Sequence, residues 1–319
     1  MVSYAKLFVA VIMWLLAGSV LVVAGQEVTY KTTRDNPQDI CNFWLYLDPF
    51  QLDAPVQNSY GLSINSGIWT MGIKNNRFGG EATARYGFLT PAKAVYADTR
   101  AALHVEAGGL LIYRDVSVSK NATRVVLKED RKDNGNGSET VTTVSIDIPA
   151  IKRNIAFIRG GFFCHRSPYK GYIDEYTSFR GDISAYGIYV GLGKLGVYNV
   201  FINTDRYGKA YRSGAFRTYM DLIIAPVRSI TAYSGVTLPA TVKPKGPLGF
   251  RFGFYNLPVE LRNMVRKGWS AGVEGGFRPG EGFYVAGTMM FPLARRKAKW
   301  LGYVAPLDTN DKGQKIEKE

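Results

Sequence analysis

The sequence predicts an all-β fold, and three observations predict it. Of its 319 residues 35 are Gly and 13% are aromatic, a composition suited to strands whose backbones approach closely. From Tyr60 onward, large apolar residues alternate with small or polar ones in run after run, the period of two that separates the faces of a strand. Gly, Asn and Pro clusters punctuate these runs where turns belong. The apolar share of 46% excludes a disordered chain. Two cysteines exclude a disulfide scaffold or a multi-thiolate metal site, and two histidines exclude a His-rich centre. No metal or other cofactor is expected.

In chain order, Lys6 is followed by the uncharged run Leu7–Ala24, with Val22 and Ala24 placed for cleavage before Gly25. Residues 1–25 read as a secretory signal peptide; the alternative is an uncleaved anchor, because the run just reaches spanning length. Residues 26–59 read as an irregular N-terminal segment, broken at Asp35-Asn36-Pro37, Asp48-Pro49 and Ala54-Pro55, with Ile40–Leu47 a strand or short helix. Residues 60–293 carry the strands. Ala82, Ala84, Tyr86 and Phe88 oppose Glu81, Thr83, Arg85 and Gly87. Leu103, Val105, Leu111 and Tyr113 oppose His104, Glu106 and Gly108, and Val144, Ile146 and Ile148 oppose Thr143, Ser145 and Asp147. Tyr186, Ile188, Val190 and Leu192 oppose Ala185, Gly187, Tyr189 and Gly191. Phe216, Met220 and Leu222 oppose Arg217, Tyr219 and Asp221. Leu248, Phe250, Phe252 and Phe254 oppose Gly249, Arg251, Gly253 and Tyr255. Trp269–Arg278 and Gly282–Leu293 form a hairpin about Pro279-Gly280. Asp130–Ser138 reads as an exposed loop, Pro258–Lys267 as a helix, and 294–319 as a basic flexible tail containing Arg295, Arg296, Lys297 and Lys299.

The two faces differ in a way that selects among β architectures. One face is large and apolar, while the other mixes Gly, Ser and Thr with isolated charges, as in the filled interior of a narrow barrel rather than the wet face of a sandwich. Aromatics near strand ends (Tyr60, Tyr86-Phe88, Tyr113, Phe283-Tyr284, Phe291) suit membrane-interface girdles. With an export signal ahead of them, these features predict a closed antiparallel transmembrane β-barrel of about 12 strands. By strand pattern over residues 60–293, without a family-specific motif, the chain resembles bacterial outer-membrane β-barrel proteins. The resemblance implies an outer-membrane location and contact with membrane lipids, including lipopolysaccharide. The chain departs from it where Phe291-Pro292-Leu293 runs into a basic tail instead of ending on a strand-terminal aromatic. The alternative is a soluble exported β-sandwich binding module.

Strand parity turns Glu81, Arg85, Glu106, Arg217, Asp221, Arg251, Glu274 and Arg278 inward. Buried charges are tolerated when paired, so these residues are expected to form an Arg–carboxylate network. It either plugs the barrel or lines a narrow, charge-selective pore. Glu274 is expected to sit between the guanidiniums of Arg278 and Arg251, and His104 to hydrogen-bond Glu106. His165 and Ser167 share a strand face, as a Ser–His pair requires, and Asp174 or Glu175 would supply the carboxylate of an outer-membrane lipid deacylase. Pro168 departs from that family's pattern and is expected to end the strand at Ser167. A polar rim without catalysis is therefore favoured, and no enzymatic activity is expected. Cys41 and Cys164 either pair or remain two buried thiols. The net charge of +14 comes without a Lys/Arg block interleaved with aromatics, which argues against nucleic acid. The expected counterparts are lipid phosphates or an acidic partner protein in the cell envelope.

Overall fold

The computed structural model describes residues 28–35, 37, 43–55, 63–74, 77–89, 101–134, 138–173, 177–233, 237–240, 242–257 and 269–296. The expected leader, Cys41, Tyr60, Asp174, Glu175, the expected helix over 258–267 and the residues beyond Arg296 lie outside the described residues.

Eleven strands make up the described chain: β1 (Tyr30–Asp35), β2 (Phe43–Pro55), β3 (Ser63–Ile73), β4 (Phe78–Leu89), β5 (Leu103–Asp133), β6 (Glu139–Tyr172), β7 (Ser178–Thr204), β8 (Gly208–Ala232), β9 (Leu248–Leu257), β10 (Ser270–Arg278) and β11 (Gly282–Arg296). All pairings are antiparallel. Successive strands from β2 to β11 are hydrogen-bonded neighbours, and β11 returns to pair with β2. Ten strands therefore form a closed hydrogen-bonded ring, which leaves the ring no free edge. β1 stands outside it, paired with the Val200–Thr204 end of β7. The expectation was about 12 strands; the described residues hold ten in the ring and one beside it.

Two strands run through proline signals. In the 26–59 segment, read from sequence as irregular, β2 continues across Asp48-Pro49 because its pairing with β3 shifts register between Asp48 and Gln51. A bulge of this kind absorbs the missing N–H. β6 likewise continues through Pro168 to Tyr172. The Ile173 N–H donates to the Thr177 carbonyl. Counting back in the unbroken register, Pro168 and Asp182 form a non-hydrogen-bonded pair. The nitrogen of Pro168 thus faces the β5 side, where pairing has already stopped at Leu103 and Arg166. The hairpin turn at the ring's other strands is set locally. Glu281 N–H donates to the Arg278 carbonyl, and Gly280 has φ +81°, the positive φ that follows Pro in a type II turn.

The end of the ring opposite this turn carries a long arm. β5 and β6 stay paired from Ile112 to Asp133, a reach of roughly 70 Å at about 3.3 Å per residue. Asp130–Asp133, expected in a loop, are strand because Glu139–Thr142 pair with them. The arm ends of β7 and β8 and the whole of β1 lie alongside, and Asp35 accepts from the Ile151 N–H at 2.9 Å. Val125, Ile148, Ala150, Val200, Ile202 and Ala210 form a small buried core there. The arm's surface is charged: hydrogen bonds donated to Asp147, Asp130 and Glu129 raise the pKa of Arg124, Lys128 and Arg131 respectively.

Within the ring, polarity is inverted. Phe78, Leu111, Ile158, Leu192, Met220 and Phe252 lie in register across six strands, and each is 40–63% exposed on the outer face. The inner face is buried. Its arm-end half is apolar and aromatic, including Trp44, Tyr46, Trp69, Met71, Phe157 and Met290. Its middle and turn-end layers are ionic.

Candidate functional site

The ionic layers are built by side chains one residue out of phase with the apolar outer wall. On β4, Glu81, Thr83 and Arg85 point inward while Tyr86 and Phe88 are exposed. On β9, Arg251 and Tyr255 point inward while Phe250, Phe252 and Phe254 are exposed. All eight inward charges read from the sequence are buried, none more than 8% exposed. Tyr284, read as a girdle residue, instead points inward and is 2% exposed.

Glu81 is the hub of the middle layer. It accepts from Arg159 Nε at 2.6 Å, from Arg217, and from the Tyr189 hydroxyl at 3.3 Å. The phenol reaches it over Gly108, where a Cβ would lie 2.3 Å from the Tyr189 hydroxyl. Arg159 also donates to Asp221 at 3.0 Å, and Arg251 Nε donates to the same Asp221 oxygen at 2.6 Å. Arg251 then closes a bidentate pair with Glu106, one arm at 2.9 Å, the geometry in which guanidinium and carboxylate bind best. His104 Nε2 stands 3.1 Å from Glu106. These bonds tie β4, β5, β6, β7, β8 and β9 together across the ring. The Tyr219 ring sits among three of the cations, with centroids 4.2 Å from Arg159, 5.0 Å from Arg217 and 5.6 Å from Arg251.

Glu274 differs from its sequence reading. Its partners are two phenols: the Tyr284 hydroxyl donates at 2.7 Å, and the Tyr219 hydroxyl donates to the other oxygen. The expected flanking guanidiniums are engaged elsewhere, Arg251 as above and Arg278 with Asp53 at 2.8 Å and Glu281 at 3.3 Å. Strand parity placed Glu274 on the inner face but could not see the register that sets Tyr284 diagonally beside it on β11 and Tyr219 in its own row across Gly253. Glu274→Leu should therefore strand no cation. A loss of about 2 kcal/mol is expected, as for hydrogen bonds to a charged group, measured by urea unfolding in detergent. The two remaining layers are Arg85 donating to Asp48 at 2.7 Å, with the Thr288 hydroxyl on the same carboxylate at 2.6 Å, and the turn-end group.

That group contains His165 and Ser167. Both point inward and are buried, as their spacing implied, and the carboxylate beside them is Glu281. The Ser167 hydroxyl donates to Glu281 at 2.6 Å, and His165 Nε2 lies 3.2 Å from its other oxygen. A Ser–His relay needs the serine hydroxyl on the imidazole and the carboxylate on the imidazole's far nitrogen. Here one carboxylate holds both residues, so the hydroxyl proton is already committed to Glu281. Glu175, the sequence candidate, lies outside the described residues. Cys164 is half-buried, and its proposed partner Cys41 is outside them as well.

Sequence reading missed Asp48, Asp53, Arg159, Tyr189 and Glu281. The signal for Arg159 was present: it is one residue out of phase with Ile158 and Phe162, although Gly160-Gly161 hides the alternation. The opening lined by Asp53, Arg85, His104, His165, Glu274 and Arg278 amounts to about 10 Å³, no more than one water needs. Among the described residues, eight carboxylates and six guanidiniums are buried. The chain's basic excess of +14 is thus carried outside the ring. Among the described residues no group of His, Cys, Asp and Glu is arranged to hold a metal. Compared with known protein families, with characterised proteins and with solved structures, the chain matches none.

Proposed function

We propose that the chain is an integral outer-membrane β-barrel protein of a bacterium, a structural and partner-binding component whose interior is a plug rather than a pore. The observation that carries this reading is the inverted polarity of the closed ring. Large apolar side chains are exposed in register on the outside, and paired charges are buried inside. In water such a continuous apolar wall is an aggregation surface, and in a bilayer it is the lipid contact. A closed sheet is one of two structures that leave no backbone group unsatisfied in hydrocarbon.

The plug reading is supported by the aromatic packing of the arm-end half and by the ion pairs that fill the rest. Ser167 and His165 serve Glu281 in this reading, and the protein is not a hydrolase. β1 sits in the arm, and β2 starts and β11 ends at the arm end of the ring. With a cleaved leader, this favours a periplasmic arm, whose charged surface would be available to an envelope partner. Membrane fractionation and gel migration test the proposal. The mature chain should be recovered with outer membranes and migrate differently in detergent before and after boiling. Purification as a soluble monomer without detergent would overturn it in favour of an exported binding module. In planar bilayers the refolded chain should give no conductance steps; stable steps would replace the plug by a pore.

A further inference from the structure

We propose that the outer wall at the arm end holds a binding site for the headgroup of an anionic, hydroxyl-bearing phospholipid, built from Lys152 and Lys194. The proposal rests on the membrane reading above and names one lipid contact within it.

Three outer rows succeed one another past the apolar row that contains Leu192 and Met220. The first consists of Arg114, Ala156, Lys194 and Thr218 in register. The second contains Asn154, Gly196 and Phe216, and the third Lys152, Tyr198 and Gly214. The first charged row therefore adjoins the apolar wall, at the depth where phosphates begin.

Gly196 shapes the site. A Cβ there would lie 2.4 Å from the Phe216 ring and 3.0 Å from Lys152 Cε, so the missing side chain lets the ring lie flat and lets Lys152 lean across it. The Lys152 ammonium consequently rests 4.0 Å from the Phe216 centroid. Lys194 lies on the same outer face of β7, two residues before Gly196. No carboxylate pairs with either lysine or with Arg114 among the described residues, whereas Arg124, Lys128 and Arg131 farther along the arm each have one. Asn154, between the lysines, has a carbonyl oxygen with no donor among the described residues. Two neighbouring cations without a carboxylate call for a phosphate. An acceptor between them matches a headgroup hydroxyl. Phosphatidylglycerol supplies both groups, and phosphatidylcholine, with its quaternary ammonium, supplies neither net charge nor hydroxyl.

The full chain in neutral detergent, titrated with phosphatidylglycerol and followed by native mass spectrometry, tests the site. Removing both charges in Lys152→Gln/Lys194→Gln should weaken binding roughly thirtyfold, at about 1 kcal/mol per lysine. Phe216→Leu, which keeps both charges but removes the ring that positions Lys152, should give a smaller loss. Phosphatidylcholine should bind weakly and equally to all variants. If the double variant fails to fold, Lys194→Gln alone, at an exposed side chain, carries the comparison. Displacement of the lipid by millimolar inorganic phosphate would reassign the site to a soluble anion and overturn the proposal. So would variants that bind phosphatidylglycerol as well as wild type does. The boiled-versus-unboiled gel shift separates the two failures: wild type without it loses the membrane reading and the site together, whereas shifted chains with indifferent lipid binding lose the site alone.

Discussion

Glu81→Leu is expected to lower stability by about 3–5 kcal/mol, the cost of removing one partner from a buried ion pair. Arg159 and Arg217 both depend on this carboxylate, and the Tyr189 hydroxyl completes it. Arg159 keeps a second partner in Asp221. Arg217, 2% exposed, has no other carboxylate among the described residues and would be left as a bare cation beside Trp69 and Tyr219. The substitution should exceed Glu274→Leu, which abandons only two neutral phenols. Urea unfolding in detergent followed by tryptophan fluorescence checks both. Glu81→Gln, still able to accept, should fall between wild type and Glu81→Leu. A loss under about 1 kcal/mol for Glu81→Leu would mean that water reaches these guanidiniums and that the interior is a wet channel, where exposed pairs are worth little.

Much of this network was legible because charge punctuates an otherwise regular pattern. On β4, β8 and β9, Arg85, Asp221 and Arg251 stand one step from exposed aromatics and aliphatics, Glu81 shares the phase of Arg85, and a period of two can point only one way there. Three features escaped for different reasons. β2 and β3 are apolar on both faces around Trp44-Leu45-Tyr46-Leu47 and Ile68-Trp69, so periodicity cannot orient them, and the aromatic plug they form inside stayed hidden. Asp48 lies in a stretch whose prolines argue against a strand, and only a bulge in the β2–β3 pairing keeps it in the ring. The partners of Glu274 depend on strand register: Tyr284 is its diagonal neighbour on β11, and Tyr219 reaches it from β8 over Gly253, which stands between them in one row. The pattern of any one strand does not encode that register. The arm shows the opposite effect: Asp130–Asp133 have loop chemistry, yet they are strand because the partner strand continues.

Leu222→Arg is the counterpart on the outer wall, with an expected loss of about 2–4 kcal/mol in a bilayer, as for a cation placed at mid-membrane on a barrel's lipid face. Leu222 is 47% exposed on β8, flanked along the strand by Met220 at 63% and across it by Val190 at 49% and Phe250 at 46%. A cation there has no carboxylate on its own face within the apolar row, and the first basic row, which meets β8 at Thr218, lies two outward positions away. It can escape only by reaching toward the headgroups, and Lys and Arg side chains recover part of the cost in this way near membrane edges. The same change in water would be harmless, because a surface position of this exposure is ordinarily worth within about 0.5 kcal/mol. Unfolding the variant in lipid vesicles and in a soluble state therefore gives opposite answers under the two readings. A loss confined to vesicles fixes the outer face as lipid-facing. No loss in vesicles, paired with a severe loss for Glu81→Leu, would leave a closed ring with an ionic core whose apolar wall is covered by protein instead of lipid.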